Sequence, residues 1–410
     1  QRRVPRNPAT QSPGGQDTIE SEAVTEDAKE APFEDVEKQP AGPKTARVVL
    51  AAVSSPSGSS GSFAATPLAA TGSWSVGGST GAFEWAYPIA LPAAGNGSGL
   101  APTISINYSS SRVDGRIASS NNQPGWIGQG FDYDPGFVER SYKSCSESGI
   151  SALNGSGELC WAGEILTLGR SGRSDRLVVD DATGAYRPQN DDGTRVERLT
   201  GANNGARDGE YWKVTSPEGL VYYYGLGTVP GGQTTQSVLT VPVIGAKAGD
   251  PCYSGAGIDA SRCTQAWRWN VDYVEDPHQN AMVFTYVRET NYYAPGIGKT
   301  PIQYTRAALP QSISYGMRNV NGTLTTPLNR VEFTLSERCI PNGSFDCAEN
   351  KFTAANAANW PDTPQDLSCS SGSCQITSPT FWSRKRLTEI NAYAGETKLD
   401  NWVFSQSYPG

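Results

Sequence analysis

Histidine and methionine are scarce in this 410-residue sequence, which contains one histidine and two methionines. A single histidine excludes a metal site built from several histidines, and a Ser-His-Asp or Cys-His arrangement would have to be centred on His278. His278 lies in the polar segment at residues 276–280, between two runs of β-forming residues. This position predicts a turn residue rather than a general base. The sequence therefore predicts a protein that is not an enzyme.

Motifs for nucleotides are absent as well. The sequence has no Walker loop and no dinucleotide-binding fingerprint after a strand, so we expect no cofactor. Glycoside hydrolysis stays open, because a β-sandwich glycosidase needs only two carboxylates that face a cleft. The candidates are Glu84, Glu139 and Glu164, although each is explained more simply as an outward-facing strand residue.

Long apolar runs and basic clusters are also missing. No stretch approaches the ~18–20 consecutive apolar residues that a membrane helix requires, and there is no basic stripe of the kind that binds nucleic acid. The net charge is −8. Residues 17–37, with nine acidic side chains and one basic side chain, account for all of it. Such a segment buries too little apolar surface to fold, so residues 1–46 are predicted to form a disordered acidic tail.

Glycine and proline are abundant, with 45 and 28 residues, and hydrophobic residues make up 37% of the chain. Many turns and few helices predict an all-β protein. Residues 47–61 are predicted to contain a short strand, at 48–53, and a Ser/Gly linker. Residues 62–200 are predicted to form an antiparallel β-sandwich, because aromatic and polar residues alternate along its strands. Residues 201–410 are predicted to form β-hairpins.

Eight cysteines fall in four close couples. The couples are Cys145 with Cys160, Cys252 with Cys263, Cys339 with Cys347, and Cys369 with Cys374. Bridges between nearest neighbours are the simplest of the 105 full pairings that eight thiols allow. The alternative is a zinc site formed by the last four cysteines, but it lacks a Cys-x-x-Cys knuckle and has one histidine to draw on. Disulfides, and a start at Gln1 without Met or leader, predict a secreted protein whose signal peptide has been removed.

The clearest pattern is a pair of β-forming runs that flank the polar segment at 276–280, which together predict a hairpin over residues 267–286. A looser copy precedes it at 212–225, and another begins at 386–395. The final strand candidate, at residues 402–408, would have an unpaired apolar edge if the chain ended there, and such an edge promotes aggregation. We therefore expect a processed or truncated chain.

The segments at residues 267–286 and 386–395 resemble divergent Rhs/YD repeats, the hairpin units that wind into hollow β-shells in bacterial polymorphic toxins, insecticidal toxin complexes and teneurins. Residues 125–141, rich in glycine and ending in the pair Arg140-Ser141, are similar to the segment that precedes the repeats. The resemblance implies a curved β-shell wall without catalytic residues. It implies two partners, the remainder of the same shell and an enclosed toxin domain, with a cell-surface receptor or glycan as a further class.

A second hypothesis rests on the ten tryptophans and eighteen tyrosines. Sugar-binding β-sandwich modules use such rings as flat platforms, so a cell-surface adhesin or carbohydrate-binding module is the alternative function. The simpler explanation is that the rings fill the β core, as at residues 222–224 and at Trp267 with Trp269. The loop at 190–193 could hold calcium through oxygen ligands, although it lacks the spacing of a dedicated calcium loop. We expect no metal there.

Overall fold

Strands dominate the structure, a computed structural model that describes residues 45–49, 57–58, 61–62, 73–76 and 81–408. Within the last range, residues 96–98, 114–122, 154–155, 171, 297–298 and 344 are not described. The predicted acidic tail, apart from its last two residues, and most of the predicted linker lie outside the described residues.

The regular elements are strands and short 3-10 helices. The strands are β1 (Thr45–Val49), β2 (Ser57–Gly58), β3 (Gly61–Ser62), β4 (Ser73–Val76), β5 (Phe83–Ile89), β6 (Ile104–Ser109), β7 (Phe131–Asp132), β8 (Phe137–Arg140), β9 (Lys143–Ser144), β10 (Leu159–Cys160), β11 (Leu166–Arg170), β12 (Arg173–Val179), β13 (Tyr186–Pro188), β14 (Arg195–Leu199), β15 (Tyr211–Thr215), β16 (Val221–Tyr224), β17 (Val238–Ile244), β18 (Arg262–Glu275), β19 (Asn280–Tyr293), β20 (Ile302–Val320), β21 (Thr323–Leu324), β22 (Asn329–Glu337), β23 (Lys385–Ala394) and β24 (Thr397–Ser405). The 3-10 helices are Ser110–Arg112, Cys145–Ser148, Ser151–Leu153, Arg207–Gly209, Asp259–Ser261, Glu349–Lys351, Ala354–Asn359 and Gln365–Leu367. The all-β class is confirmed.

Eight of these strands close into an antiparallel barrel, in the order β8, β11, β12, β13, β14, β15, β16, β18 and back to β8. A barrel of this size is just wide enough to be filled by its own side chains. Its inward-facing residues are fully or nearly buried, among them Val138, Leu166, Trp212, Tyr224 and Trp269. The barrel interior is therefore a packed core rather than a channel.

The barrel crosses the predicted boundary at residue 200. That boundary falls between β14 and β15, which pair over five residues. Strands β8 and β11 to β14 were predicted to belong to a separate sandwich that ends at this boundary. Instead they form the barrel together with β15, β16 and β18. Alternation of apolar and polar residues defines the two faces of a strand but does not specify whether its sheet closes, and closure here depends on β8 pairing with both β11 and β18.

A second part of the sheet consists of long antiparallel strands. β18 and β19 have 14 residues each and β20 has 19. From β18 the order continues through β19, β20, β22 and β23 to β24. The predicted hairpins at 212–225, 267–286 and 386–395 are confirmed as β15–β16, β18–β19 and β23–β24. Three register shifts between β19 and β20 mark bulges, which bend a strand and increase its twist.

A small sheet of β4, β5, β6 and β7 packs on the same core. Trp85 pairs with Tyr108 and Tyr87 with Ile106 across β5 and β6. The buried Ile104 and Ile106 of β6 belong to the cluster that also contains the barrel interior. Hence one continuous apolar core joins the barrel, the long strands and the small sheet.

The edge of the last strand is covered, contrary to the prediction. β1 pairs in parallel with β24 from Asn401 to Ser405, and pairing satisfies backbone groups that an open edge would leave free. β1 also begins at Thr45, three residues before the predicted first strand and inside the predicted tail. No helix in the described part of the chain is long and apolar enough to cross a membrane.

Candidate functional site

The long-strand sheet has two chemically different faces. On one face, apolar side chains meet across the strands, as Phe284, Ile313 and Val331 do in one row, and all three lie in the main core. Phe333, Ile390 and Trp402 form a similar row on β22, β23 and β24; these residues are also core.

The opposite face carries a row of polar residues that are paired across neighbouring strands. Strands β19, β20, β22, β23 and β24 contribute one residue each, in the order Thr285, Ser312, Glu332, Asn391 and Asn401. We call this row the polar sheet face. The hydroxyl oxygens of Thr285 and Ser312 lie 2.7 Å apart. A polar groove of about 460 Å³ runs beside the row. Four members are half-buried and Asn391 is buried.

Charges beside the polar sheet face are neutralised locally. Arg330 donates to Glu332 at 2.8 Å, and its guanidinium carbon lies 4.1 Å from the ring centre of Tyr393. Asn391 donates to the Thr334 hydroxyl at 3.2 Å. Such short hydroxyl and amide groups can form hydrogen bonds with a polypeptide, and the Glu332 carboxylate, which lies opposite Ser312, accepts from Arg330.

His278 lies in the turn between β18 and β19, as predicted. Its backbone N–H donates to Asp276 Oδ1 at 2.8 Å, and its carbonyl accepts from Arg318 at 3.0 Å. The ring is solvent-exposed. Asp276 also accepts from the Asn280 backbone at 2.9 Å, which explains why the 276–280 segment turns.

The three candidate carboxylates do not form a common cleft. Glu84 is exposed on β5, while Glu139 on β8 pairs with Arg268 at 3.2 Å. Glu164 pairs with Arg140 at 3.0 Å. Because Glu139 and Arg140 are adjacent on one strand, their side chains point to opposite faces of the barrel wall, and Glu139 and Glu164 are held on different sides.

The other predicted sites, the eight cysteines and the 190–193 loop, have structural roles. The eight cysteines form four disulfides, which join Cys145 to Cys160, Cys252 to Cys263, Cys339 to Cys347 and Cys369 to Cys374. In the 190–193 loop, Asp191 and Asp192 accept backbone hydrogen bonds from Gly193 and Thr194 at 2.9 and 3.0 Å. In the described part of the chain, no three His, Cys, Asp or Glu side chains are grouped as metal ligands would be.

A buried ion network at one end of the barrel was not predicted. The side chain of Arg140 is 1% exposed and makes two hydrogen bonds to Glu210, at 2.8 and 2.6 Å. Arg198 Nε lies 2.7 Å from the same carboxylate, and the Arg140 guanidinium lies 5.0 Å from the ring centre of Trp269. Burial opposes the positive charge, but the hydrogen bonds and charge of Glu210 outweigh it and raise the pKa of Arg140. The partners are 70 residues apart in sequence, and no local pattern connects them.

Asp272 of β18 is a second buried group that sequence reasoning missed. It is 0% exposed and accepts from the backbone of Leu226 and Gly227 at 3.2 and 2.8 Å. It also accepts from the hydroxyls of Thr235 and Ser237 at 2.9 and 2.6 Å. This carboxyl therefore ties the 226–237 loop to the barrel wall. Burial raises its pKa to about 6, although the four hydrogen bonds oppose the shift.

The Asp272 carboxyl makes the stability of the fold depend on pH. Its folded-state pKa of about 6 is above the ordinary value of 3.8. Its stabilising contribution is therefore complete below the ordinary value and is lost as the pH rises through about 6. We expect the free energy of unfolding of the natural protein to increase, relative to that of Asp272→Asn, when the pH falls from about 7 to about 5. Urea unfolding of both proteins at the two pH values measures this, and parallel pH profiles would contradict it.

Comparisons with known proteins give structural neighbours only. No family model matches the sequence, and no curated protein matches it. One neighbour is the crystal structure of TcdB2-TccC3, with a sequence identity of 15% and a TM-score of 0.42. The superposition covers 79% of the present chain and 14% of the TcdB2-TccC3 chain. A Tc holotoxin pore of Photorhabdus luminescens is 15% identical with a TM-score of 0.40, over 79% of this chain and 13% of that one.

A shorter structural neighbour is the N-terminal domain of the effector protein SpvB from Salmonella typhimurium strain LT2. It is 12% identical with a TM-score of 0.35, over 75% of this chain and 87% of that chain. The present chain thus spans about 14% of the length of the TcdB2-TccC3 structure and most of the SpvB domain.

Proposed function

We propose that this chain is a non-catalytic structural part of a secreted Rhs/YD-repeat toxin, where it forms or caps the wall of a β-shell around a toxin cargo. The observation that carries the proposal is the division of the long-strand sheet into an apolar face, which packs on the core, and the polar sheet face. A wall needs both: one face that stabilises it without cargo, and one that stays hydrated beside an enclosed polypeptide.

The sequence segments that resemble the repeats lie in the elements that build this wall. Residues 267–286 include the β18–β19 turn, and residues 386–395 include most of β23 and the turn into β24. Consecutive hairpins pair with each other along the order β18 to β24, as the strands of a continuous wall would. Four disulfides close loops of 5 to 15 residues in sequence separation, and such bridges persist in an oxidising, extracellular environment.

The absence of catalysis is part of the proposal. The single histidine serves a turn, and Glu139 and Glu164 are engaged by arginines on different sides of the barrel wall. On the polar sheet face, the Glu332 carboxylate opposite Ser312 is engaged by Arg330, and the Arg140 network consists of arginine and glutamate side chains. Cargo release and toxicity would then come from other parts of the assembly.

Site-specific photo-crosslinking of the protein in its native source tests the proposal. A photoreactive phenylalanine analogue at Ser312, on the polar sheet face, is expected to crosslink to a toxin polypeptide of the same gene or of a partner gene. Val178 of β12 is the matched control position and should give no such product: it is 42% exposed and follows the buried, inward-facing Leu177, so its side chain points to the barrel exterior. Intact masses of all co-purifying components identify the product. If both positions crosslink to a toxin polypeptide, or if neither does, the proposal is overturned.

A carbohydrate-binding function is the second candidate, favoured by one cluster on the small sheet. Trp85 and Tyr87 are half-buried and stack with centroids 5.9 Å apart, and Phe131 meets Trp85 edge-on at 6.2 Å. Against it, six of the nine tryptophans whose side chains the structure describes are buried. A glycan array with the natural protein and Trp85→Ala separates the two functions, because glycan binding that is lost in the variant would favour an adhesin.

A further inference from the structure

A groove of about 350 Å³ lies where the glycine-rich segment after residue 123 meets the end of β24. Trp126, Ile127 and Ile340 form apolar parts of its wall, and Arg338, Arg386 and Tyr408 contribute polar groups. We call it the Arg386 groove. It is separate from the polar sheet face, with which it shares no lining residue.

Arg386 is held in place by neutral acceptors. Its Nε donates to the Glu337 carbonyl at 2.9 Å, and its Nη1 donates to Gln406 Oε1 at 2.7 Å. Gln406 is itself fixed, since its amide donates to the carbonyls of Ile127 and Leu387. Among the described residues, no carboxylate forms an ion pair with Arg386, and its Nη2 has no acceptor.

The other charges of the groove cancel. Arg338, 4% exposed at its side chain, pairs with Asp362 at 2.8 Å, and the Tyr408 hydroxyl donates to the second oxygen of Asp362 at 2.9 Å. Arg338 and Asp362 thus neutralise each other, which leaves the positive charge of Arg386. Burial, together with the neighbouring Arg338, lowers the pKa of Arg386, while Tyr408 and Asp362 oppose that shift.

A half-buried guanidinium without a counter-ion is costly, and an anion at its free edge would remove that cost. Guanidinium groups hold carboxylate and phosphate through parallel charge-assisted hydrogen bonds. The groove volume lies within the range of small-ligand sites, which combine an apolar wall with a few fixed polar groups. The indole of Trp126 is fixed by its hydrogen bond to the Tyr133 carbonyl at 3.1 Å, so the wall is preorganised.

We propose that the Arg386 groove binds a small ligand that carries one oxyanion, carboxylate or phosphate, on an apolar body. The oxyanion is held by Arg386, and the apolar body lies against Trp126 and Ile340. Arg338 positions the site through Asp362 and Tyr408.

Calorimetric titration of the full chain with two probes, N-acetyl-L-phenylalanine and phenyl phosphate, tests the proposal. At least one should bind, and N-acetyl-L-phenylalaninamide, which lacks the charge, should bind at least about tenfold more weakly than the carboxylate probe if that one binds. The probe that binds with the higher affinity shows whether the groove prefers a carboxylate or a phosphate. Failure of both, or equal binding of the uncharged amide, would overturn the proposal.

Variants locate the binding. Arg386→Gln should weaken the anion about tenfold or more, while Arg288→Gln, at an exposed arginine of β19, should leave it unchanged. Circular dichroism and thermal unfolding establish that both variants fold. If Arg386→Gln does not fold, Ile340→Glu takes its place, because a new carboxylate on the wall should repel the anion to a similar degree. Unchanged affinity in the folded groove variant would place the binding elsewhere and overturn the proposal.

Discussion

Replacement of Arg140 by alanine is expected to lower the free energy of unfolding by about 3–5 kcal/mol. The change leaves Glu210, which is 5% exposed, buried with only the partly exposed Arg198 to balance its charge. It also removes the cation that packs on Trp161 and Trp269. The cost is thus dominated by a buried carboxylate that keeps only one of its two arginine partners.

Urea unfolding followed by near-ultraviolet circular dichroism measures this effect of Arg140→Ala. Arg195→Ala is the control, because Arg195 pairs with Glu197 at 2.9 Å but its side chain is 74% exposed. Exposed ion pairs contribute little, so this variant should unfold at nearly the same urea concentration as the natural protein. Equal effects of the two substitutions would show that burial of the Arg140 network does not contribute as argued.

Trp212→Ala is expected to have a similarly large effect, about 3–5 kcal/mol, because it opens a cavity inside the barrel. Trp212 is 0% exposed, and its ring meets those of Tyr186 and Trp269 edge-on at 5.0 and 5.9 Å. Strands β13, β15 and β18 all contribute to this contact, so the lost packing spans the barrel interior.

Trp212→Phe provides the matched comparison. The indole N–H of Trp212 has no hydrogen-bond partner among the described residues, so phenylalanine forfeits no hydrogen bond and leaves a smaller cavity. Its cost should be less than half that of Trp212→Ala, as measured by the same urea titration. A cost as large as that of alanine would indicate that the indole makes a polar contact or that the barrel does not tolerate any repacking.

Local patterns in the sequence were enough to predict the hairpins and their turns. The β18–β19 hairpin, for example, follows from two runs of β-forming residues around Asp276 and Asn280, whose side chains shape the turn by contacts within four residues. The cysteine couples are also local, since the bridged residues are at most 15 positions apart. Interactions of this range leave a signal in the order of residues, because neighbours in sequence remain neighbours in space.

The buried polar groups could not be predicted in the same way. Arg140 meets Glu210 across 70 residues and Asp272 meets Ser237 across 35, so the partner of each buried group lies outside its local sequence. The Arg386 groove is assembled from segments up to 279 residues apart, as the contact between Gln406 and Ile127 shows. Sequence reasoning placed Glu164 among outward-facing carboxylates, whereas it belongs to the ion network of the barrel.

An all-β chain with hairpins in series, four short-range cysteine couples and a histidine in a turn can be predicted from the order of residues alone. The pairing of β8 with both β11 and β18, which closes the barrel across residue 200, and the pairing of β1 with the edge of β24 become visible only in the folded chain. Alternation along a strand specifies which side chains are buried, whereas the partner of each strand edge depends on backbone hydrogen bonds that nearly every residue can make.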